Sequence, residues 1–133
     1  MPQPYKLKIK SEFSESERVL DFINEIDDDL HFDEDLKSKI ELAVSEAVTN
    51  AIVHGNKLDE EKSVTVTGSV QNNRIVFKVT DEGPGFDYSQ KPDPTADENL
   101  LKLGGRGLFI IDELADDVRF ENDGRSVIII FNF

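Results

Sequence analysis

The sequence predicts an α+β fold, a two-layer α/β sandwich in which three main helices cover one face of a mixed, mostly antiparallel sheet. Apolar residues recur at helical spacing in two long segments, β-rich segments occur in pairs separated by short turns, and the predicted order of elements is βααββαββ. A chain of 133 residues has the length of one domain, so we expect residues 1–133 to form a single domain.

The first predicted elements are a strand and two amphipathic helices. Tyr5 to Lys10 alternates apolar residues with lysines, the period of a strand exposed on one face. Ser14 and Glu17 resemble a capping box for a first helix that extends to about Asp28. The apolar positions of this helix are Val19, Leu20, Phe22, Ile23 and Ile26.

The second predicted helix begins after Asp33, whose side chain can cap it, and ends at Gly55. Its apolar residues follow the 3.6-residue period at Leu36, Ile40, Ala43, Val44, Ala47 and Ala51. Two β-rich segments then follow, separated by a short polar turn that is typical of a hairpin: Val64 to Val70, and Arg74 to Thr80.

The last part of the chain starts with a long irregular segment. From Gly83 to Gly105 the sequence is rich in Gly, Pro and polar residues, and a loop of this length is usually functional or mobile. A short third helix is predicted to begin at Leu108. Two strands, Val118 to Glu121 and Ser126 to Phe133, complete the sheet.

Composition excludes several classes of protein. The chain has no cysteine, so a disulfide framework and a thiol nucleophile are excluded, and the cytoplasm is the expected location. A formal charge of −13 disfavours direct contact with nucleic acid or an anionic membrane surface. Between Glu12 and Asp35 lie eleven carboxylates and one Arg, a pattern that favours a solvated helix face over a docking surface for a basic partner.

Glu46 and Asn50 are the first candidate site residues. They are four residues apart on the second helix and therefore share a face, at the margin of the apolar stripe. Asn is unusual inside a helix because it favours caps and turns. The pair could hold a metal ion or orient a water, but taken alone it favours a structural role, with Asn50 bonded to nearby backbone and Glu46 solvated.

The second candidate segment, Asp81 to Asp87, follows a predicted strand directly. Asp81 offers an acceptor for the exocyclic amine of a base, and Gly83 and Gly85 allow the backbone to approach a flat ring. A plain turn is the structural alternative, because Asp, Gly and Pro are common turn residues.

The third candidate segment, Gly104-Gly105-Arg106-Gly107, precedes Leu108 at the start of the third helix. Free backbone N–H groups and the helix dipole favour an anion at such a position. The glycine spacing fits neither the P-loop nor the dinucleotide-binding fingerprint, so both of those nucleotide folds are rejected.

In order, spacing and flanking elements, the three segments resemble the N, G1 and G2 boxes of the GHKL (Bergerat) ATPase and kinase superfamily. The closest resemblance is to the bacterial anti-sigma-factor serine kinases. Ser45 to Asn56 is nearly the N box of that family, and Gly104 to Leu108 is its G2 box. The resemblance covers almost the whole chain, and a length with nothing appended suits this family better than a histidine kinase.

The resemblance implies ATP and Mg²⁺ as cofactors and assigns roles to individual residues. Asn50 would coordinate magnesium through its amide oxygen, and Glu46 would be the general base that deprotonates an incoming serine. Asp81 would accept from the adenine amino group, with Gly83 and Gly85 beneath the ring.

The resemblance also implies an ATP lid at residues 88–103 and a phosphate-binding backbone at Gly105 to Gly107. Lys102 and Arg106 could add positive charge there, although exposed cations in loops are more often merely solvated. His54 is expected to be packed or capping rather than a phosphoacceptor. Arg18 lies on the first helix, which the family uses to meet protein partners.

The leading interpretation is an ATP-dependent protein serine/threonine kinase that phosphorylates an anti-sigma-factor antagonist and binds and inhibits a sigma factor or an analogous regulator. A non-catalytic ATP-binding module and a detached histidine-kinase catalytic domain are the alternatives. A homodimer is expected from the resemblance, without direct contact to nucleic acid or membrane.

Overall fold

The computed structural model describes residues 5–83 and 105–133, apart from the side chains of residues 105–109 and 123. In chain order the strands are β1 (Tyr5–Lys10), β2 (Ser63–Gln71), β3 (Arg74–Thr80), β4 (Asp117–Glu121) and β5 (Ser126–Asn132). The α-helices are α1 (Ser16–Leu30), α2 (Glu34–Asn50) and α3 (Gly105–Leu114).

The described strands form one open sheet in the order β1-β2-β3-β5-β4. Every pairing between them is antiparallel, so the predicted α+β sandwich is confirmed with a sheet that is antiparallel throughout these strands. The predicted hairpin is present as well. Its turn residues Asn72 and Asn73 both have positive φ, at 48° and 64°, the conformation that a two-residue hairpin turn needs.

The core lies between the sheet and the helices. One face of each central strand contributes buried apolar side chains, among them Phe77 and Phe131, whose rings meet edge to face with centroids 6.4 Å apart. The helices supply the other half of the core: Val19, Phe22, Ile23, Ile26, Ile40, Ala43, Val44, Ala47, Val48 and Ile111. Leu20, which we placed on the buried face of α1, is 40% exposed.

The two helix starts differ in how well they were predicted. Asp33 caps α2 as expected, because its Oδ1 accepts a hydrogen bond of 2.8 Å from the backbone N–H of Leu36. The capping box at Ser14 is wrong. Ser14 lies in a short 3₁₀ turn, Phe13–Glu15, and its hydroxyl donates to the Glu12 carboxylate, while α1 begins only at Ser16.

In the described part of the chain, residues 5–83 and 105–133, the helices are too short or too polar to span a lipid bilayer. The helices instead pack on the sheet. Contacts between α2 and α3 bring the helix with Glu46 and Asn50 beside the helix that begins at Gly105.

Candidate functional site

The end of α2 departs from regular α-helical geometry. We predicted a helix that ends at Gly55; the α-helix ends at Asn50, and Ala51–Gly55 forms one wider π-helical turn. The backbone N–H of Asn56 donates to the carbonyl of Ala51 at 2.8 Å, which closes this turn. Turns of this kind are rare in proteins, and those that do occur often lie at functional sites.

Glu46 and Asn50 lie one helical turn apart in the last part of α2, and both side chains are partly exposed. The amide nitrogen Nδ2 of Asn50 is buried and has no hydrogen-bond partner among the described residues. Leaving a buried amide unpaired is energetically unfavourable, and unpaired buried groups in native folds are few. The bond to neighbouring backbone that a purely structural Asn50 would make is therefore not seen for this nitrogen.

Asp81 is the first residue after β3, and its carboxylate rests against the backbone of Gly55. A methyl group on Gly55 would overlap this carboxylate, and a methyl group on Gly83 would overlap the carbonyl oxygen of Gly55. Gly83 therefore requires glycine because it lies against the backbone of Gly55, whereas a side chain at Gly55 would displace the carboxylate of Asp81. The N box and the G1 box are thus in direct contact through Gly55, Asp81 and Gly83.

The electrostatics of Asp81 follow from this packing. Burial raises the pKa of the Asp81 carboxyl above its ordinary value of 3.8, although the N–H of Gly83 and the charge of Arg125 oppose the increase. The Gly83 N–H donates to Oδ1 of Asp81 at 2.8 Å. The result is a half-buried carboxylate with one oxygen fixed by the loop, suited to accept a hydrogen bond from a neutral donor such as an exocyclic amine.

Arg125 supports the loop that contains Asp81 from the side of β5. Its Nε donates to the carbonyl of Gly83 at 2.6 Å, and its own carbonyl accepts from the backbone N–H of Asp81 at 2.9 Å. Ser126, the next residue, is fully buried, and its hydroxyl lies 2.8 Å from that of Thr80. These contacts fix the end of β3 against the start of β5.

Asn56 supports the same loop from the side of α2. The side chain is 1% exposed, and its Oδ1 accepts a hydrogen bond of 2.7 Å from the backbone N–H of Glu82. Its Nδ2 donates to the hydroxyl of Ser11 at 2.7 Å and to the carbonyl of Ser63 at 2.9 Å. Asn56 therefore joins the end of the helical segment to three other parts of the chain.

The helix of the G2 segment begins earlier than predicted. Gly105, Arg106 and Gly107 form the first turn of α3, whereas we expected the helix to begin at Leu108. Ile111, one turn further on, is fully buried in the core and stabilises the helix against its glycine content. The predicted phosphate-binding N–H groups thus belong to a helix N-terminus.

Several predicted residues lie outside the described part of the structure. These are Gly85, Gly104, Lys102 and the lid segment 88–103, together with the side chains of Arg106 and Leu108. His54 is described and is exposed, so it is not packed; it lies in the last turn of Ala51–Gly55, and the capping role that we gave as the other option stays a prediction. Arg18 is exposed as well, and it forms an ion pair with Glu15, three residues earlier in the chain, with Nη1 and Oε2 3.1 Å apart.

A comparison with protein families decides the family of this chain. The model of the histidine kinase-like ATPase domain matches residues 9–131.

The chain belongs to the histidine kinase-like ATPase domain family.

The proteins with a similar sequence include several bacterial proteins named serine-protein kinase RsbW. The protein from Listeria monocytogenes serovar 1/2a is 35% identical over 103 residues, which cover 72% of this chain and 63% of the relative. The protein from Bacillus subtilis strain 168 is 40% identical over 97 residues, covering 67% of this chain and 57% of the relative. The alignments thus span less than two thirds of these relatives.

A solved structure supports the fold independently. A crystal structure of the RsbU and RsbW domains of a Mycobacterium tuberculosis protein superposes with a TM-score of 0.72 at 16% identity, covering 98% of this chain and 32% of that one. The resemblance to the superfamily and to the anti-sigma-factor serine kinases is thereby confirmed, and the histidine kinase-like ATPase fold is the one that the chain adopts.

Three polar residues of this ATPase domain were given no role of their own in the predicted site: Asn56, Arg125 and Ser126. Asn56 ends the N-box segment, and its position next to Gly55 was the one available signal. Arg125 and Ser126 lie more than 40 residues from the loop that they support, so their role depends on the pairing of β3 with β5 and has no local sequence signal.

Proposed function

We propose that this protein is an ATP-dependent serine/threonine kinase that phosphorylates an anti-sigma-factor antagonist and binds and inhibits a sigma factor or an analogous regulator. Membership of the histidine kinase-like ATPase family supports the use of ATP. The similarity to proteins named serine-protein kinase RsbW supports serine as the acceptor. The observation that carries the proposal is the pair of Glu46 and Asn50 on the helix that ends against Asp81.

The adenine end of the proposed site is formed where Gly55, Asp81 and Gly83 meet. The Asp81 carboxylate accepts from the adenine amino group, and a guanine, which presents a carbonyl oxygen at that position, would be repelled. Because Gly55 and Gly83 have no side chains, the two backbone segments can meet here, and this brings the Asp81 carboxylate beside the end of the helical segment.

The phosphate end of the site is assigned to Asn50 and the N-terminus of α3. The amide of Asn50 fits the phosphate end of the site. Its oxygen is the kind of ligand that Mg²⁺ prefers, and its buried nitrogen, a donor without a partner among the described residues, would find an acceptor in a phosphate oxygen. Those residues contain no cluster of three or more acidic or histidine side chains that could hold a metal. When bound, the ion would neutralise charge on the phosphates, and Asn50 would be the residue that holds it.

Glu46 acts on the acceptor. Its carboxylate takes the proton of the serine hydroxyl as the serine oxygen bonds to the γ-phosphorus, and the bond from that phosphorus to the bridging oxygen of ADP breaks. The products are a phosphoserine and ADP. The N–H groups in the first turn of α3 favour the negative charge of the phosphates.

The test is phosphate transfer from γ-labelled ATP to a purified candidate anti-sigma-factor antagonist protein. Replacing Glu46 with Gln should lower the transfer rate by about 100-fold or more while ADP still binds. The matched control is Glu41→Gln, which removes a partly buried carboxylate from the same helix and should change the rate by less than about twofold.

Three outcomes would contradict the proposal. Full activity of Glu46→Gln would remove the proposed general base, and nucleotide binding by the wild type without any transfer would indicate a non-catalytic binding module. Label that is lost in acid would indicate phosphohistidine and hence a histidine-kinase catalytic domain. A homodimer, a single domain and a cytoplasmic location stay predictions.

A further inference from the structure

The side chain of Asn56 is buried, and both the nitrogen and the oxygen of its amide are hydrogen-bonded. Nδ2 donates to Ser11 and Ser63, and Oδ1 accepts from Glu82. Rotating the amide by 180° would place its oxygen against the carbonyl of Ser63 and its nitrogen against the N–H of Glu82. The network therefore fixes the orientation of the amide.

The partners of Asn56 are themselves fixed. Ser11, which is 1% exposed, donates from both its backbone N–H and its hydroxyl to the carbonyl of Lys62, at 3.2 and 3.1 Å. The Glu82 carboxylate accepts from the backbone N–H of Ser63. Asn56 is thus at the centre of a junction between the end of β1, the start of β2 and the loop after β3.

The loop after β3 is held at each of its three described residues. Arg125 fixes the N–H of Asp81 and the carbonyl of Gly83, and Asp81 itself accepts from the N–H of Gly83. The remaining N–H, that of Glu82, donates to Asn56. The hydrogen bond from Glu82 to Asn56 thus ties the loop to the segment that follows α2.

This connection has a consequence for the site as a whole. Asp81 lies in the loop that Asn56 holds, while Glu46 and Asn50 lie on the helix that leads into Asn56. The hydrogen bond from Glu82 to Asn56 therefore sets the position of the adenine-reading carboxylate relative to the residues assigned to phosphate and acceptor. The bond from Glu82 is partly buried, so without Asn56 the loop would lose its hold on the end of the helical segment and would move to satisfy the freed N–H.

We propose that Asn56 is a positioning residue for adenine recognition: it holds the loop with Asp81 against the end of α2 so that the carboxylate meets the adenine amino group. The inference rests on the proposed function, since it requires a nucleotide in this site. Asn56 itself contacts no nucleotide in this account and acts through Glu82 and Asp81.

The experiment compares two ligands that differ in the 6-amino group of the base, from which Asp81 accepts a hydrogen bond in the proposed site. ADP and purine riboside diphosphate, which lacks the 6-amino group, are titrated calorimetrically against the wild type and against Asn56→Ala. The wild type should prefer ADP, and Asn56→Ala should reduce this preference by about tenfold, because a displaced Asp81 no longer distinguishes the two ligands. Thermal melting of each variant measures stability separately.

A purely structural role predicts a different pattern. The control Val19→Ala truncates a side chain that is 1% exposed in the core under α1, so it should lower the melting temperature and leave the ligand preference within about twofold of the wild type. An unchanged preference in Asn56→Ala, or an equal loss of affinity for both ligands, would overturn the inference.

Ser11→Ala gives a second, milder test that decides the matter if Asn56→Ala does not fold. It removes one of the two acceptors that orient the Asn56 amide, so the amide is held less firmly, its bond to Glu82 is weakened, and the preference should fall by about threefold. An unchanged preference would overturn the inference. If the wild type binds no ADP, the proposed function fails as well; if it binds ADP and the variants keep the preference, the inference alone fails.

Discussion

Gly83→Ala is the substitution for which the structure gives the sharpest expectation. An alanine methyl group at this position would overlap the carbonyl oxygen of Gly55, and this neighbour is backbone, so no side-chain rotation can relieve the overlap. Real Cβ atoms stay at least 3.0 Å from such neighbours. The loop after β3 must therefore move away from the end of α2 by about 1 Å, a displacement that can reduce the function of a positioned site by about 100-fold.

The assay is calorimetric titration with ADP, combined with a thermal melt. We expect Gly83→Ala to bind ADP about 10- to 100-fold more weakly, because the displaced Asp81 carboxylate loses its hydrogen bond to the adenine amine, and to lose about 1–3 kcal/mol of stability through the forced repacking. The matched control is Gly68→Ala on β2, where the new methyl group meets the side chains of Ile26 and Phe77 at 3.1 and 3.3 Å, away from the site. Wild-type affinity in Gly83→Ala would refute the contact between the N and G1 boxes.

Three further predictions concern Asp81, Asp33 and Tyr5. Asp81→Asn should abolish ADP binding yet raise the melting temperature at neutral pH, because the raised pKa means that the ionised carboxyl destabilises the fold. This increase in melting temperature should be present at pH values above the pKa of Asp81 in the folded protein. It should vanish as the pH falls towards 3.8, as thermal melts across that range would show. Asp33→Ala should cost about 1 kcal/mol in urea unfolding, since it removes the cap of α2; an unchanged midpoint would contradict this cap. The hydrogen bond of 2.5 Å to Asp29 raises the pKa of Tyr5 to about 12, so ultraviolet titration of Asp29→Asn should shift this ionisation back towards 10.0.

The parts of the fold that the sequence predicted correctly depend on local signals. The cap at Asp33 and the hairpin turn at Asn72 and Asn73 follow from the chemistry of a few neighbouring residues. The alternation of apolar residues in the strands and their spacing in the helices predicted which faces are buried. The predicted capping box at Ser14 is wrong because a nearby side chain competes for the hydroxyl: it bonds to Glu12 instead of capping α1.

The parts that could not be predicted depend on contacts between distant residues. The early start of α3 at Gly105 follows from packing, since Ile111 is buried and α3 contacts α2, which overrides the low helix propensity of glycine. The bond between Asn56 and Glu82 joins residues 26 apart, and that between Arg125 and Gly83 joins residues 42 apart. Motif spacing located the candidate site, but the residues that support it became visible only with the strand register.

The most direct measurement of the central claim is a calorimetric titration of ATP with and without magnesium, performed on the wild type, Asn50→Ala and the control Asn24→Ala. The wild type should bind ATP more tightly with magnesium, Asn50→Ala should lose that gain, and Asn24→Ala, which alters an exposed residue of α1, should keep it. A wild type that binds no ATP, or a magnesium gain that survives in Asn50→Ala, would contradict the account.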